Sequence, residues 1–151
     1  MKKLILTFAM MVAIVGTSCS DDNDDSSNSN LTVSNVVNTV NDSTWRVTLF
    51  EEDGNDQTSN FTGYNFTFGA NNVLTASNGT ATNTGMWSVT NSGSDDDSPS
   101  DIDFNIVFSS PVNFEEISED WDILERTNTR LRLRHVSGGD GSTDLLTLEK
   151  N

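Results

Sequence analysis

Period-two alternation dominates the chain from position 44 onward. Thr44–Glu51 sets Trp45, Val47 and Leu49 against Arg46, Thr48 and Phe50, and Phe61–Phe68 places Tyr64, Phe66 and Phe68 on one face. Asn72–Ser77 and Thr82–Thr90 flank Asn78-Gly79, a tight-turn signal. Asp101–Phe108 alternates Ile102, Phe104, Ile106 and Phe108 with Asp103, Asn105 and Val107. Trp121–Arg126 and Arg130–Val136 enclose the turn Thr127-Asn128-Thr129, and Asp144–Lys150 follows the Gly-rich loop Ser137–Thr143. One segment has a different period. Val33, Val36, Val37 and Val40 recur at helical spacing, which predicts a short helix over Leu31–Val40 laying its valine stripe on a sheet, although β-branched residues weaken helices.

Eight strands with short connections, and no long intervening helices, exclude a parallel sheet. They predict an all-β domain: an eight-stranded antiparallel up-and-down barrel with a short N-terminal helix. An open sandwich is the alternative. Every aromatic residue except Phe8 lies between Trp45 and Trp121, so this part of the chain has the material for a core.

The first thirty residues follow other rules. Lys2 and Lys3 precede an apolar run, Leu4–Val15. As a helix it would be only ~18 Å long, against a hydrocarbon core of ~30 Å. Met1–Ser18 is therefore expected to be a signal peptide. Gly16-Thr17-Ser18-Cys19 follows, and this stretch resembles the lipobox of bacterial lipoproteins, which implies cleavage before Cys19 and lipidation of its thiol. Ser20–Asn30 is nearly devoid of apolar residues and is expected to be a disordered acidic tether. Its run Ser20-Asp21-Asp22-Asn23-Asp24-Asp25 resembles the acidic export signal of Bacteroidota lipoproteins, which implies an outer-membrane, cell-surface location. The expected division is thus 1–18 signal peptide, 19–30 tether and 31–151 barrel.

Composition narrows the functions. The full chain of 151 residues has 8 Lys and Arg against 23 Asp and Glu, a formal net charge of −15. Without Lys2 and Lys3 the mature chain would carry about −17. Such a chain lacks the clustered cations that nucleic acid requires. One Cys excludes an internal disulfide, and one His excludes a His-rich metal site.

His135, on one strand face with Leu131 and Leu133, reads as a histidine at a core margin rather than a general base. No Ser-His-Asp spacing, HExxH, P-loop or GxGxxG occurs. The carboxylates sit mainly in loop runs, where nothing pushes a facing pair apart in pKa. No enzyme, no cofactor and no metal is expected. Ser94–Asp101 and Gly138-Gly139-Asp140-Gly141 offer oxygen donors suited to Ca²⁺, without EF-hand order, and read as solvated loops.

Arg130, Arg132 and Arg134 share one face of one strand. Across the three-residue turn, the pairing sets Arg126 opposite Arg130, Asp122 opposite Arg134, Ile123 opposite Leu133 and Trp121 opposite His135. The three arginines should point to solvent, either as an exposed charged face or as a patch for an anionic partner. Asp42-Ser43-Thr44 matches a short O-glycosylation pattern, with Ser43 as candidate acceptor.

Ser43-Thr44-Trp45, Phe66-Thr67-Phe68, Gly85-Met86-Trp87, Asp120-Trp121 and the closing Leu-Thr-Leu-Glu-Lys together resemble the lipocalin-like domains of Bacteroidota lipoproteins. Where lipocalins carry Gly-x-Trp on the first strand, this chain has Ser43-Thr44-Trp45. The resemblance implies a barrel that binds a small apolar or amphipathic ligand, with Trp45, Phe66, Phe68, Trp87, Phe104 and Trp121 as candidate lining residues. The other open reading is a surface interaction or accessory protein with a filled interior. In either case the expected partner is the lipid bilayer through acylated Cys19, and the chain is expected to be a monomer.

Overall fold

The computed structural model describes residues 31–92, 102–139 and 141–151. The expected signal peptide, the expected lipidation site Cys19, the expected tether, the Ser94–Asp101 run and Asp140 lie outside the described residues.

Helix α1 spans Val33–Asn41. The Thr32 hydroxyl accepts from the Asn35 amide at 3.2 Å, satisfying one of the donors that a helix start leaves open. Nine strands follow: β1 (Thr44–Glu52), β2 (Asn55–Asp56), β3 (Asn65–Phe68), β4 (Val73–Ser77), β5 (Thr82–Asn91), β6 (Ile102–Val107), β7 (Asp120–Arg126), β8 (Arg130–Val136) and β9 (Thr143–Lys150). A one-turn helix, α2 (Val112–Glu115), lies between β6 and β7. All pairings are antiparallel, in the order β1-β3-β4-β5-β6-β7-β8-β9, and β1 also pairs with β9. The sheet closes into the eight-stranded antiparallel barrel that the alternation predicts. The two-residue β2 folds back on β1 through Asp53 and Gly54, both at positive φ.

Alternation sorts the side chains. Trp45, Val47, Phe66, Phe68, Leu74, Trp87, Phe104, Ile106, Trp121, Leu131, Leu133, Leu146 and Leu148 are buried inside. Gly85 is required by this packing. A Cβ there would collide with the Val107 carbonyl oxygen and the Phe108 ring, which crosses the glycine.

Two β-bulges correct the simple alternation. In β1 the register with β9 shifts between Val47 and Leu49, so Phe50 pairs with Leu146 and is fully buried. Leu49, assigned to the inner face by strict alternation, is only half-buried. The extra residue exchanges a leucine for a larger ring in the core. In β7 the register shifts between Ile123 and Glu125, so Arg126 faces Leu131 and not Arg130. Without that bulge Glu125 would stand opposite Leu131, inside the barrel. The bulge turns the carboxylate out to the arginines and avoids an unpaired buried charge, which would cost several kcal/mol.

Two strand starts also differ. Phe61 ends a 3₁₀ turn, Thr58–Phe61, so β3 starts only at Asn65. Asn71 and Asn72 have positive φ, which removes Asn72 from β4. The 112–115 turn was not legible from periodicity, because four residues are too few to show a period.

Candidate functional site

The six candidate ligand-lining residues are all within the buried core, but they do not line one space. Phe68, Trp87 and Phe104 meet ring to ring, with centroids 5.4 Å (Phe68–Trp87), 5.4 Å (Phe68–Phe104) and 6.2 Å (Trp87–Phe104) apart. Phe66 belongs to a second cluster, with Phe61 at 6.3 Å and Phe114 at 6.0 Å. Phe114 is the hub of that cluster, with Tyr64 at 5.1 Å, Phe61 at 5.2 Å and Phe108 at 5.0 Å. Edge-to-face contacts dominate, as ring quadrupoles favour.

Each tryptophan indole N–H donates to a backbone carbonyl. Trp45 reaches Val40 at the end of α1 (3.0 Å), Trp121 reaches Ile117 just after α2 (3.2 Å), and Trp87 reaches Gly69 (3.0 Å). The indoles therefore tie the barrel to the segments over its ends. At one end α1 inserts Val36 and Val40, while at the other Phe61, Phe114 and Ile117 form an apolar plug.

The outer surface carries the polar chemistry. Arg130, Arg132 and Arg134 point outward, with side chains 45%, 49% and 44% exposed. Arg134 meets Asp122 at 2.8 Å, as the pairing predicts. Arg130 donates through Nε to Glu125 at 2.8 Å, and Arg132 reaches the other oxygen of that carboxylate at 3.4 Å. On the neighbouring strands Arg46 pairs with Glu149 at 3.1 Å. All Lys and Arg among the described residues lie on β1, β7, β8 and β9.

Arg126, turned inward by the bulge, crosses under α1 and donates to the Thr39 hydroxyl at 2.9 Å. It lines a cleft of about 400 Å³ with Asn35, Asn38, Thr39, Asp42, Asn128 and Lys150. Lys150 Nζ donates to Asp42 at 2.8 Å, which holds the Asp42 carboxyl below its ordinary pKa. This cleft has no counterpart among the sites expected from the sequence. The signal was there in α1, where Asn35, Asn38, Thr39 and Asp42 repeat at the spacing of the valines. Ser43, the candidate glycan acceptor, is half-buried between α1 and β1.

His135 sits at the opposite end, edge-on to Trp121 with centroids 6.2 Å apart. Its Nδ1 is 3.0 Å from the Asp120 carbonyl oxygen, and Nε2 is 3.6 Å from Glu119 Oε2. Burial alone would lower its pKa. The Asp120 carbonyl and the carboxylates of Glu119, Asp120 and Asp144 outweigh burial and raise it. Glu119, Asp120 and His135 bring one donor atom each within 4.8 Å of one another. With Nδ1 taken up by the carbonyl, Nε2 and the Glu119 and Asp120 carboxylates remain, short of the four ligands of a closed zinc shell.

A row of apolar side chains crosses the outside of three strands. Val73 pairs with Met86 and Met86 with Val107, and all three are exposed, Met86 to 61%. Met86 and Val107 flank Trp87 in a cleft of about 150 Å³ rimmed by Asn72, Ser88 and Asn105, which carry no charge. The chain matches no protein-family model, no curated protein and no solved structure.

Proposed function

We infer that this chain is a lipid-anchored, non-enzymatic interaction protein of the outer-membrane surface, whose partner meets the outside of the barrel. The observation that carries this is the occupied lumen. Rings from five strands and two end segments fill the core, and the indole N–H groups of Trp45 and Trp121 bond to the segments over the two ends. This supports the filled-interior reading over an interior apolar ligand, because a lipocalin-type pocket needs a mouth and space between the rings. The exposed row Val73–Met86–Val107 is an apolar feature that solvent-facing strands do not need for folding.

Anchoring rests on Gly16-Thr17-Ser18-Cys19 behind the apolar run, with the acidic tract after it. Two or more acyl chains on Cys19 would give stable attachment where one is marginal. Intact-mass measurement of membrane-extracted protein should give a chain that starts at acylated Cys19; an unmodified thiol or another N-terminus overturns the anchor. Native mass spectrometry of the same protein should show no retained apolar small molecule. A stoichiometric one would overturn the filled-interior reading.

A further inference from the structure

α1 has two opposite faces, and the fold uses only one of them. Its valines enter the barrel, whereas Asn35, Asn38, Thr39 and Asp42 look across to the β7–β8 turn and the end of β9. The resulting cleft, about 400 Å³, adjoins a second of about 400 Å³ on the other side of that turn, lined by Thr127, Thr129, Arg130, Glu149 and Lys150. Lys150 belongs to both, so the two clefts meet at its side chain. Each has the size of an ordinary small-ligand site.

No apolar side chain lines either cleft. A lipid tail has nothing to bury against there, and a nucleobase has no ring to stack on. The walls offer carboxamides, which donate and accept side by side, and hydroxyls, which do the same from one atom. That set matches neighbouring hydroxyls on a sugar ring. Arg126, Arg130 and Lys150 add positive charge at intervals along the trough.

Charge density narrows the ligand further. Within and beside the trough, Arg46, Arg126, Arg130 and Lys150 face Asp42, Glu125 and Glu149. The balance is only slightly positive, which suits a mostly hydroxylated ligand with widely spaced carboxylates and disfavours a dense polyanion. Most of the other carboxylates among the described residues lie away from the trough. Glu51, Glu52, Asp53, Glu115, Glu116, Glu119, Asp120 and Asp144 lie at the other end of the strands, and screening at physiological salt acts over ~8 Å.

We propose that this trough binds an acidic oligosaccharide of low charge density. Sugar hydroxyls bond to Asn35, Asn38, Thr39 and Asn128, and sparse carboxylates sit by Arg126, Arg130 and Lys150. The proposal rests on the reading of the chain as a protein that acts through its outer surface.

Affinity electrophoresis of the full-length chain in detergent tests it, with hyaluronan (a carboxylate on alternate sugars), neutral dextran and dextran sulfate in the gel. Hyaluronan should retard the protein at physiological salt, and the two dextrans should not. Asn38→Asp, on the exposed face of α1, and Lys150→Gln should each weaken retardation at least tenfold, with circular dichroism unchanged. Arg134→Gln, outside the trough, should leave it intact. Absence of retardation by hyaluronan overturns the proposal, as does equal retardation by dextran. Retardation by dextran sulfate that is lost in Arg134→Gln and kept in Asn38→Asp also overturns it, and assigns the effect to the arginine strand. A small molecule retained in native mass spectrometry would instead strike at the filled-interior reading, so the two failures are separable.

Discussion

The two ends of this barrel are closed by different means. At the helix end a nine-residue amphipathic helix lies over the opening, contributes small β-branched side chains, and leaves its polar face to a cleft with Arg126 and Lys150. At the loop end, irregular segments deliver Phe61, Phe114 and Ile117 into the lumen, and the rim around them is carboxylate-rich, with His135 as its imidazole. One closure is a lid with an outward chemical face. The other is a plug with its chemistry spent on packing. The contrast explains why the polar clefts gather at the helix end. Only there does a regular element present side chains at a fixed spacing toward solvent and toward a neighbouring turn.

Truncating the plug should have the largest effect. Phe114→Ala removes a fully buried ring in contact with four others, and should cost about 3–5 kcal/mol in equilibrium denaturation. Val36→Ala under the lid should cost only about 1–2 kcal/mol, since fewer methyl groups are lost. Equal costs would break the distinction between lid and plug.

The indole bonds sharpen it. Trp45→Phe strands the Val40 carbonyl at the helix end, and Trp121→Phe strands the Ile117 carbonyl at the loop end. Each should cost about 1–3 kcal/mol. Hydrogen exchange should accelerate in α1 for the first variant and in residues 112–118 for the second. Acceleration spread evenly over both ends would mean that the barrel opens only as a whole.

The smallest effect is expected from pH. His135 has a raised pKa in the folded state, so its charged form stabilises the fold. That contribution is complete below the unfolded pKa of about 6.5 and is lost as pH rises through the higher folded value. His135→Gln should remove this dependence and lower stability below pH 6 by about 1 kcal/mol or less, with little change at pH 9. Melting curves at both pH values check the sign; a loss confined to high pH would contradict it. The helix end has no imidazole among the described residues, and Val36→Ala should leave the pH profile unchanged.

Much of the architecture was legible because it depends on period alone. The inward Ile102, Phe104, Ile106 and Phe108, the outward arginines of β8 and the Asp122–Arg134 pair all follow from alternation across a short turn. Leu49 and Arg126 were misplaced because a bulge adds one residue to one strand and leaves no mark in the alternation of residues. The aromatic side chains announced a core, but not whether it is hollow. Trp45, Phe66 and Phe104 would serve a ligand pocket or a packed lumen equally well as a list of residues.

The sequence by itself determined the eight strands of the barrel, the helix and the sign of most strand faces, since these rest on local spacing and on the cost of burying charge. Only the tertiary structure decided that the lumen is occupied, that Glu125 is turned out to the arginines, and that Arg126, Asn38 and Lys150 share one trough. Those features depend on register shifts of a single residue and on segments brought together from positions 35 to 150. No local pattern encodes a distance between residues so far apart in the chain.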